Sequence, residues 1–213
     1  MHIDVIYDTV CPWCYIGKRR LEQALRLRPH VKATTRWRPF LLNPAMPPEG
    51  IDRTAYLINK FGSEARVRRT YGAIAEAGQS VEIDFAFERI GHTPNSVNSH
   101  RLVHFADNHH KADAAVEALF LTYFVNGQNI GNIDVLLKIG KNLGLDADAL
   151  GTYLDGETDV AMVHDENARA HRMGVNGVPS FIFAGEYAIS GAQTPDILAR
   201  VLDAAGTVRE TAQ

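Results

Sequence analysis

The sequence predicts an α/β fold whose two halves are separated by a helical insertion, and three observations carry that prediction. A β-branched strand pattern opens the chain, meets two cysteines three residues apart, and continues at once as an amphipathic helical pattern. After the turn-rich stretch at 43–50, with prolines at 44, 47 and 48, the pattern becomes a succession of helices. Strand periodicity returns near the C-terminus as two short runs about a glycine-containing turn, followed by a capped helix.

Taken in order, residues 2–8 alternate and form the first strand. Residues 12–27 form the first helix. Leu21, Ala24 and Leu25 share its apolar face with Ile16 and Leu27, and Lys18, Arg19, Arg20, Glu22 and Arg26 lie elsewhere. Arg28-Pro29-His30 stops it. Residues 31–42 form a second strand, in which Pro39 suits an edge or an end. A β–α–β order requires a right-handed crossover and a parallel pair. In the insertion, 52–77 reads as helix, with Asp52 as its cap and Gly62 as a break point. Residues 81–87 read as a short strand or extended segment, and helices follow over 97–109, 112–125, 133–143 and 147–154. A longer helix over 157–173 is closed by Gly174. Runs 180–184 and 187–190 make a hairpin about Gly185-Glu186, and Thr194 caps a last helix with Pro195 in its first position. Residues 1–44 and 157–205 are thus expected to form one discontinuous α/β domain of thioredoxin-like type. Residues 45–156 form its inserted all-helical subdomain, and 206–213 a flexible tail.

The chemistry concentrates at Cys11-Pro12-Trp13-Cys14, which holds the only two cysteines. Positions i and i+3 are neighbours on a helix, with Cβ atoms about 5–6 Å apart. A disulfide needs about 3.5–4.5 Å, so a small adjustment in the first turn opens or closes the bond. Pro12 fits the first helical position and leaves Cys11 at the N-cap, where free N–H groups stabilise a thiolate. Cys14 lies one turn inward. Cys11 is therefore expected to attack and Cys14 to resolve, with Pro12 and Trp13 tuning the potential. Inert core thiols and half a zinc site are the competing readings. The second fails for want of four ligands, since no His pair stands at finger spacing behind the dithiol.

Composition narrows the function further. Of 213 residues, 46% are hydrophobic and 22% charged, which is ordinary for a globular chain large enough to bury a core without staples. The formal net charge of -3, with no basic stripe, argues against nucleic acid as partner. No run of 18 apolar residues is present to span a membrane. Met1-His2 leads straight into the first strand without a signal-peptide pattern, so a cytoplasmic location is expected. Two cysteines cannot make a disulfide framework.

A family resemblance emerges from Asp8-Thr9-Val10-Cys11-Pro12-Trp13-Cys14-Tyr15-Ile16-Gly17-Lys18, from Trp37-Arg38-Pro39-Phe40-Leu41-Leu42-Asn43-Pro44 and from Thr93-Pro94-Asn95-Ser96. Gly174-Val175-Asn176-Gly177-Val178-Pro179-Ser180-Phe181 and Ile189-Ser190-Gly191-Ala192-Gln193 complete it. Over nearly its whole length the chain resembles the DsbA-like thioredoxin superfamily, and within it the FrnE-like branch. The resemblance implies thiol–disulfide oxidoreductase or isomerase activity without a cofactor beyond the Cys11–Cys14 disulfide. It also implies a cis Val178–Pro179 peptide facing the dithiol, whose backbone pairs with bound substrate. Protein or small-molecule thiols and disulfides are the expected partners, glutathione among them, acting on a monomer or homodimer. A sister branch, the 2-hydroxychromene-2-carboxylate isomerases and kappa-class glutathione transferases, supplies the alternative. There Asn43, Pro44 and His100 would line a small-substrate pocket with Val178. That branch usually has serine where Cys11 stands. The second cysteine pair of some FrnE-like proteins is missing here.

Overall fold

The computed structural model describes the backbone of residues 1–211 and the side chains of residues 1–207. The scaffold opens with β1 (His2–Tyr7), α1 (Pro12–Arg26) and β2 (Thr34–Pro39) and closes with α8 (Val160–Arg172), β5 (Ser180–Phe183), β6 (Tyr187–Ser190) and α9 (Pro195–Thr211). Its sheet has the order β2-β1-β5-β6. β1 runs parallel to β2, with His2 opposite Thr34 and Tyr7 opposite Pro39, as the crossover requires. It runs antiparallel to β5, with Ile3 opposite Phe183 and Ile6 opposite Ser180. β1 is buried on both faces. Ile3, Val5 and Tyr7 enter the main core, and Ile6 joins Phe40 and Ala170 in a smaller one beneath α8.

Between β2 and α8 the insertion comprises β3 (Ile51–Asp52), α2 (Arg53–Phe61), α3 (Glu64–Gln79), β4 (His92–Thr93), α4 (Val97–Asp107), α5 (Ala112–Phe120), α6 (Ile133–Asn142) and α7 (Ala147–Asp155). It is helical except for one ribbon, since β3 and β4 pair antiparallel. Gly50 makes that pairing possible. Its φ is +73, and a Cβ there would lie 2.5 Å from the Thr93 carbonyl oxygen. The Asp52 carboxylate accepts from the Ala55 N–H and caps α2, which ends on left-handed Gly62. The main core runs without a break from β1 and α1 through α4, α5 and α6, so the insertion shares the scaffold's interior.

Four expectations are corrected, and one open reading is decided. Of strand and extended segment, residues 81–87 form no strand. Phe85 and Phe87 stack at 4.7 Å and pack against Phe124, and the chain turns into a 3-10 turn at Phe87–Arg89 instead of meeting a strand edge. The helix expected over 112–125 widens after Phe120 into a π turn, Leu121–Val125, which buries both Tyr123 and Phe124. α8 starts at Val160 because Asp159 has φ 62. α9 continues past Gly206 to Thr211, so 206–211 is helix; the last two residues of the expected tail lie outside the described residues. Lys18, assigned from its polarity to the outer face of α1, is buried.

Lys18 is buried because α5 brings carboxylates to it. Its Nζ meets Glu22 within α1, and Glu117 and Asp113 of α5 at 3.1 and 3.3 Å. Beside it, Tyr15 Oη donates to Glu117 at 2.8 Å, and Arg19 pairs with the same carboxylate at 2.5 Å. At the other end of the insertion, the buried Arg101 guanidinium donates to the carbonyls of Tyr153, Leu154, Gly156 and Thr158 and to Asn98 Oδ1. These bonds stitch the turn between α7 and α8 to α4.

Candidate functional site

Cys11 takes the N-cap of α1, with φ −97 and ψ 110, and Pro12 follows in the first turn. No side chain caps this helix end, so its free N–H groups face the Cys11 region. Both cysteines are free thiols, and both are buried. The Cys11 Sγ–H donates to the Val178 carbonyl at 3.6 Å. Cys14 lies one turn below, its N–H bonded to the Cys11 carbonyl at 3.0 Å. Burial pushes the Cys14 thiol well above its ordinary range, and the adjacent Cys11 adds to that, against a lowering contribution from the Asp8 backbone N–H.

The Val178–Pro179 peptide is cis. Gly17 lets α1 approach this loop closely, since a Cβ at 17 would sit 2.8 Å from Pro179 Cγ and 3.2 Å from Phe181 Cζ. The buried Asp8 at the end of β1 braces the dithiol turn. Its carboxylate accepts from the Leu42 N–H at 2.8 Å and the Val10 N–H at 3.3 Å, and its carbonyl accepts from the Cys11 N–H at 3.1 Å.

Cys11 opens onto a cavity of about 290 Å³ between scaffold and insertion. The scaffold side supplies Val10, Cys11, Pro12, Trp13, Asn43 and Val178. The insertion side is aromatic and cationic, with Arg53, Tyr56, Lys60, Tyr71 and Tyr123. Arg53 Nη1 donates to Tyr123 Oη at 3.0 Å, and its guanidinium lies over the Tyr71 ring at 5.2 Å. Tyr123 Oη in turn donates to the His92 carbonyl at 3.1 Å. Lys60 Nζ donates to Tyr56 Oη, which donates to Asn43 Oδ1, at 2.9 and 2.8 Å. Burial raises the Tyr71 and Tyr123 phenols, so both stay neutral at physiological pH. No carboxylate lines the cavity among the described residues, which leaves it positive. Nor do these residues contain a group of three or more His, Cys, Asp or Glu placed to hold a metal.

The structure thus gathers Cys11, Pro12, Trp13, Asn43 and Val178 around one cavity, with Cys14 beneath and Pro179 behind. His100 does not join them. It is buried behind Asp8, its ring edge-on to Tyr7 at 5.0 Å, and it lines a separate cavity on the far side of β1. The insertion-side wall escaped the sequence reading. The one available signal was the Arg53/Lys60 pair flanking Tyr56 on α2; Tyr71 and Tyr123 lie on distant turns with nothing to link them.

A four-stranded sheet with a dithiol at a helix N-cap, facing a cis-proline loop, defines a thioredoxin-type protein. The chain belongs to the DSBA-like thioredoxin domain family, whose profile matches residues 2–203. Among solved structures it is similar to the "probable DsbA oxidoreductase SCO1869" of Streptomyces coelicolor. That pair has a TM-score of 0.90 and 24% identity over 97% of this chain and 90% of that one. A 2-hydroxychromene-2-carboxylate isomerase matches at TM-score 0.71 and 18% identity, over 100% of this chain and 98% of that one. The cytosolic disulfide reductase DsbM of Pseudomonas aeruginosa, solved with GSH, matches at 0.66 and 18%, over 96% and 98%. The α/β thioredoxin-like fold and membership of the DsbA-like superfamily stand as expected from the sequence.

Proposed function

We propose that this protein is a cytoplasmic thiol–disulfide oxidoreductase that works through a mixed disulfide on Cys11. The observation that carries the reading is the placement of Cys11 Sγ at an uncapped helix N-terminus, open to a cavity and 3.6 Å from the Val178 carbonyl, with Cys14 one turn below. The Cys11 thiolate attacks a substrate disulfide, and one substrate sulfur leaves as thiolate. Cys14 then attacks Cys11 Sγ, the substrate's second sulfur leaves, and the Cys11–Cys14 disulfide remains. The reverse sequence oxidises a dithiol. Pro12 and Trp13 bring apolar bulk and no formal charge beside the nucleophile and adjust the potential. Val178 and its proline loop present backbone to the substrate.

The positive, aromatic wall favours a small acidic thiol or disulfide, and glutathione fits that description: its carboxylates match Arg53 and Lys60. The GSH-bound DsbM structure supports the same class. Glutathione-dependent isomerisation, as in the 2-hydroxychromene-2-carboxylate isomerase, is the second reading, favoured by a cavity of small-molecule size beside Asn43. The two separate on Cys14, which isomerisation does not need. The direct test is Cys11→Ser, which should lose reduction of a model protein disulfide; full retention would overturn the assignment.

A further inference from the structure

We propose that the cavity on the far side of β1 is a second ligand site, and that it takes a neutral single-ring aromatic bearing a hydroxyl group. The cavity lies between β1, β2, α4, α5 and α8 and encloses about 210 Å³. The residues that line it are all different from those of the dithiol cavity. The inference therefore stands apart from the dithiol reading.

Three rings of its wall carry the argument. Tyr7 meets Trp37 edge-on at 4.9 Å and His100 edge-on at 5.0 Å. Tyr7 is 0% exposed and His100 1%. Among the described residues, six buried side-chain N or O atoms lack a hydrogen-bond partner, and four of them belong to this cluster: Tyr7 Oη, Trp37 Nε1, and His100 Nδ1 and Nε2. His100 Nε2 lies 3.5 Å from Asp8 Oδ1 without bonding to it. A buried polar atom without a partner is costly and rare. Four of them on one cavity wall mark a place where a partner is due.

Those atoms define what the partner must offer. The indole N–H only donates. Burial holds the Tyr7 phenol well above its ordinary range, so it too arrives as a donor. A neutral imidazole has one donor and one acceptor. The ligand therefore brings an oxygen that accepts and a hydrogen that it gives, as a hydroxyl does. The charged side chains of the wall balance: Arg36 and Arg38 stand against Asp107 and Glu166. Both arginines also pair with Asp4, Arg38 pairs with Glu166 at 3.3 Å, and His104 lies 3.5 Å from Asp159. A carboxylate entering here would lose its water and find each guanidinium already paired. Pro39, Val103, Ala112 and Met162 complete the wall with apolar surface, which holds water badly and an aromatic ring well. A cavity of about 150 Å³ accepts benzene, so this one has room for a ring with its hydroxyl. Trp37 is the half-buried ring of the three and stands on the edge strand β2. It is the side chain that yields as the hydroxyl reaches the closed polar atoms.

Phenol is the probe, with toluene as the same shape lacking the hydroxyl and benzoate as the charged ring. Calorimetry on the wild-type protein should give phenol a Kd of about 0.1–1 mM. Toluene and benzoate should bind at least about tenfold more weakly. Tyr7→Phe keeps the packed ring and removes one unpartnered oxygen, so it should fold at least as stably as the wild type. It should weaken phenol about tenfold and leave toluene unchanged. The chain has two tryptophans, one at each cavity, so their indole N–H resonances place the ligand. The Trp37 signal should shift saturably with phenol while the Trp13 signal stays, Trp13→Phe assigning the pair. Movement of the Trp13 signal alone would put phenol in the dithiol cavity and overturn the proposal. Equal affinity for phenol and toluene, tighter binding of benzoate, undiminished binding of phenol by Tyr7→Phe, or two indole signals that phenol leaves unmoved would overturn it as well.

Discussion

Gly17→Ala adds one methyl group at the tightest contact between α1 and the proline loop. In an open helix interior the change would stabilise by about 0.5–1 kcal/mol, because glycine loses more backbone freedom on folding. Here the methyl would stand 2.8 Å from Pro179 Cγ and 3.2 Å from Phe181 Cζ. Neither neighbour is the free end of a flexible chain: Pro179 is a ring, and Phe181 is a fully buried residue of β5. Overpacking of this kind costs about 1–3 kcal/mol. Set against the helix gain, the net expectation is a loss of about 1–2 kcal/mol, or a fall of roughly 2–8 °C in Tm for a chain of this size. Gly72→Ala, on exposed α3 with nothing within 4 Å of the added Cβ, isolates the backbone contribution and should stabilise. Paired denaturant titrations of both variants measure the difference. A Gly17→Ala protein as stable as Gly72→Ala would refute the claim that this glycine exists for close approach.

Two further outcomes follow from the buried charges and thiols. Lys18→Met should cost about 1–3 kcal/mol, since it removes the buried one of the two cations, Lys18 and Arg19, that Glu22 and Glu117 share. Burial pulls the Lys18 ammonium down, but Asp113, Glu22 and Glu117 together outweigh it and hold the group above its usual range. Its contribution is therefore intact below the ordinary lysine pKa and is lost as pH rises through the raised value. The gap between wild type and variant in denaturant midpoint should hold up to about pH 10 and close above it. Because burial and the adjacent Cys11 hold Cys14 as a thiol, alkylation of the native reduced protein near neutral pH should mark Cys11 at least about tenfold faster. Equal labelling in fragment-ion spectra would contradict that placement.

What the sequence made legible is what covalent neighbours determine. Cys11 at the N-cap, Pro12 behind it, the Asp52 cap and the break at Gly62 all depend on residues within one or two turns. The hairpin of β5 and β6 is equally local. The insertion-side wall is not: Arg53, Tyr71 and Tyr123 meet only because the π turn after Phe120 rotates Tyr123 inward, and no periodicity announces such a turn. Lys18, set off the apolar face of α1 by its polarity, and His100, expected at a substrate pocket, depart from expectation for a related reason: α1 is covered by α5, and α4 is packed against both α5 and α8. A helix enclosed by its neighbours buries polar residues wherever a partner or a cavity receives them, and the identity of that receiver lies far away in the chain.

The clasp at Arg101 has a consequence for how the molecule responds to its medium. The guanidinium is charged at any pH a protein survives, and four of its acceptors are backbone carbonyls, which do not titrate. Buried 1% exposed, it is also beyond the reach of screening ions. The seam between α1 and α5 is the opposite case, since Lys18 and Arg19 hold carboxylates that water and protons can reach. Acid and salt therefore act on one suture of the insertion and leave the other untouched. The insertion would loosen beside the dithiol, where α1 begins, while its exit into α8 stays fastened, so that partial opening exposes the reactive end of the molecule without releasing the chain that returns to the sheet.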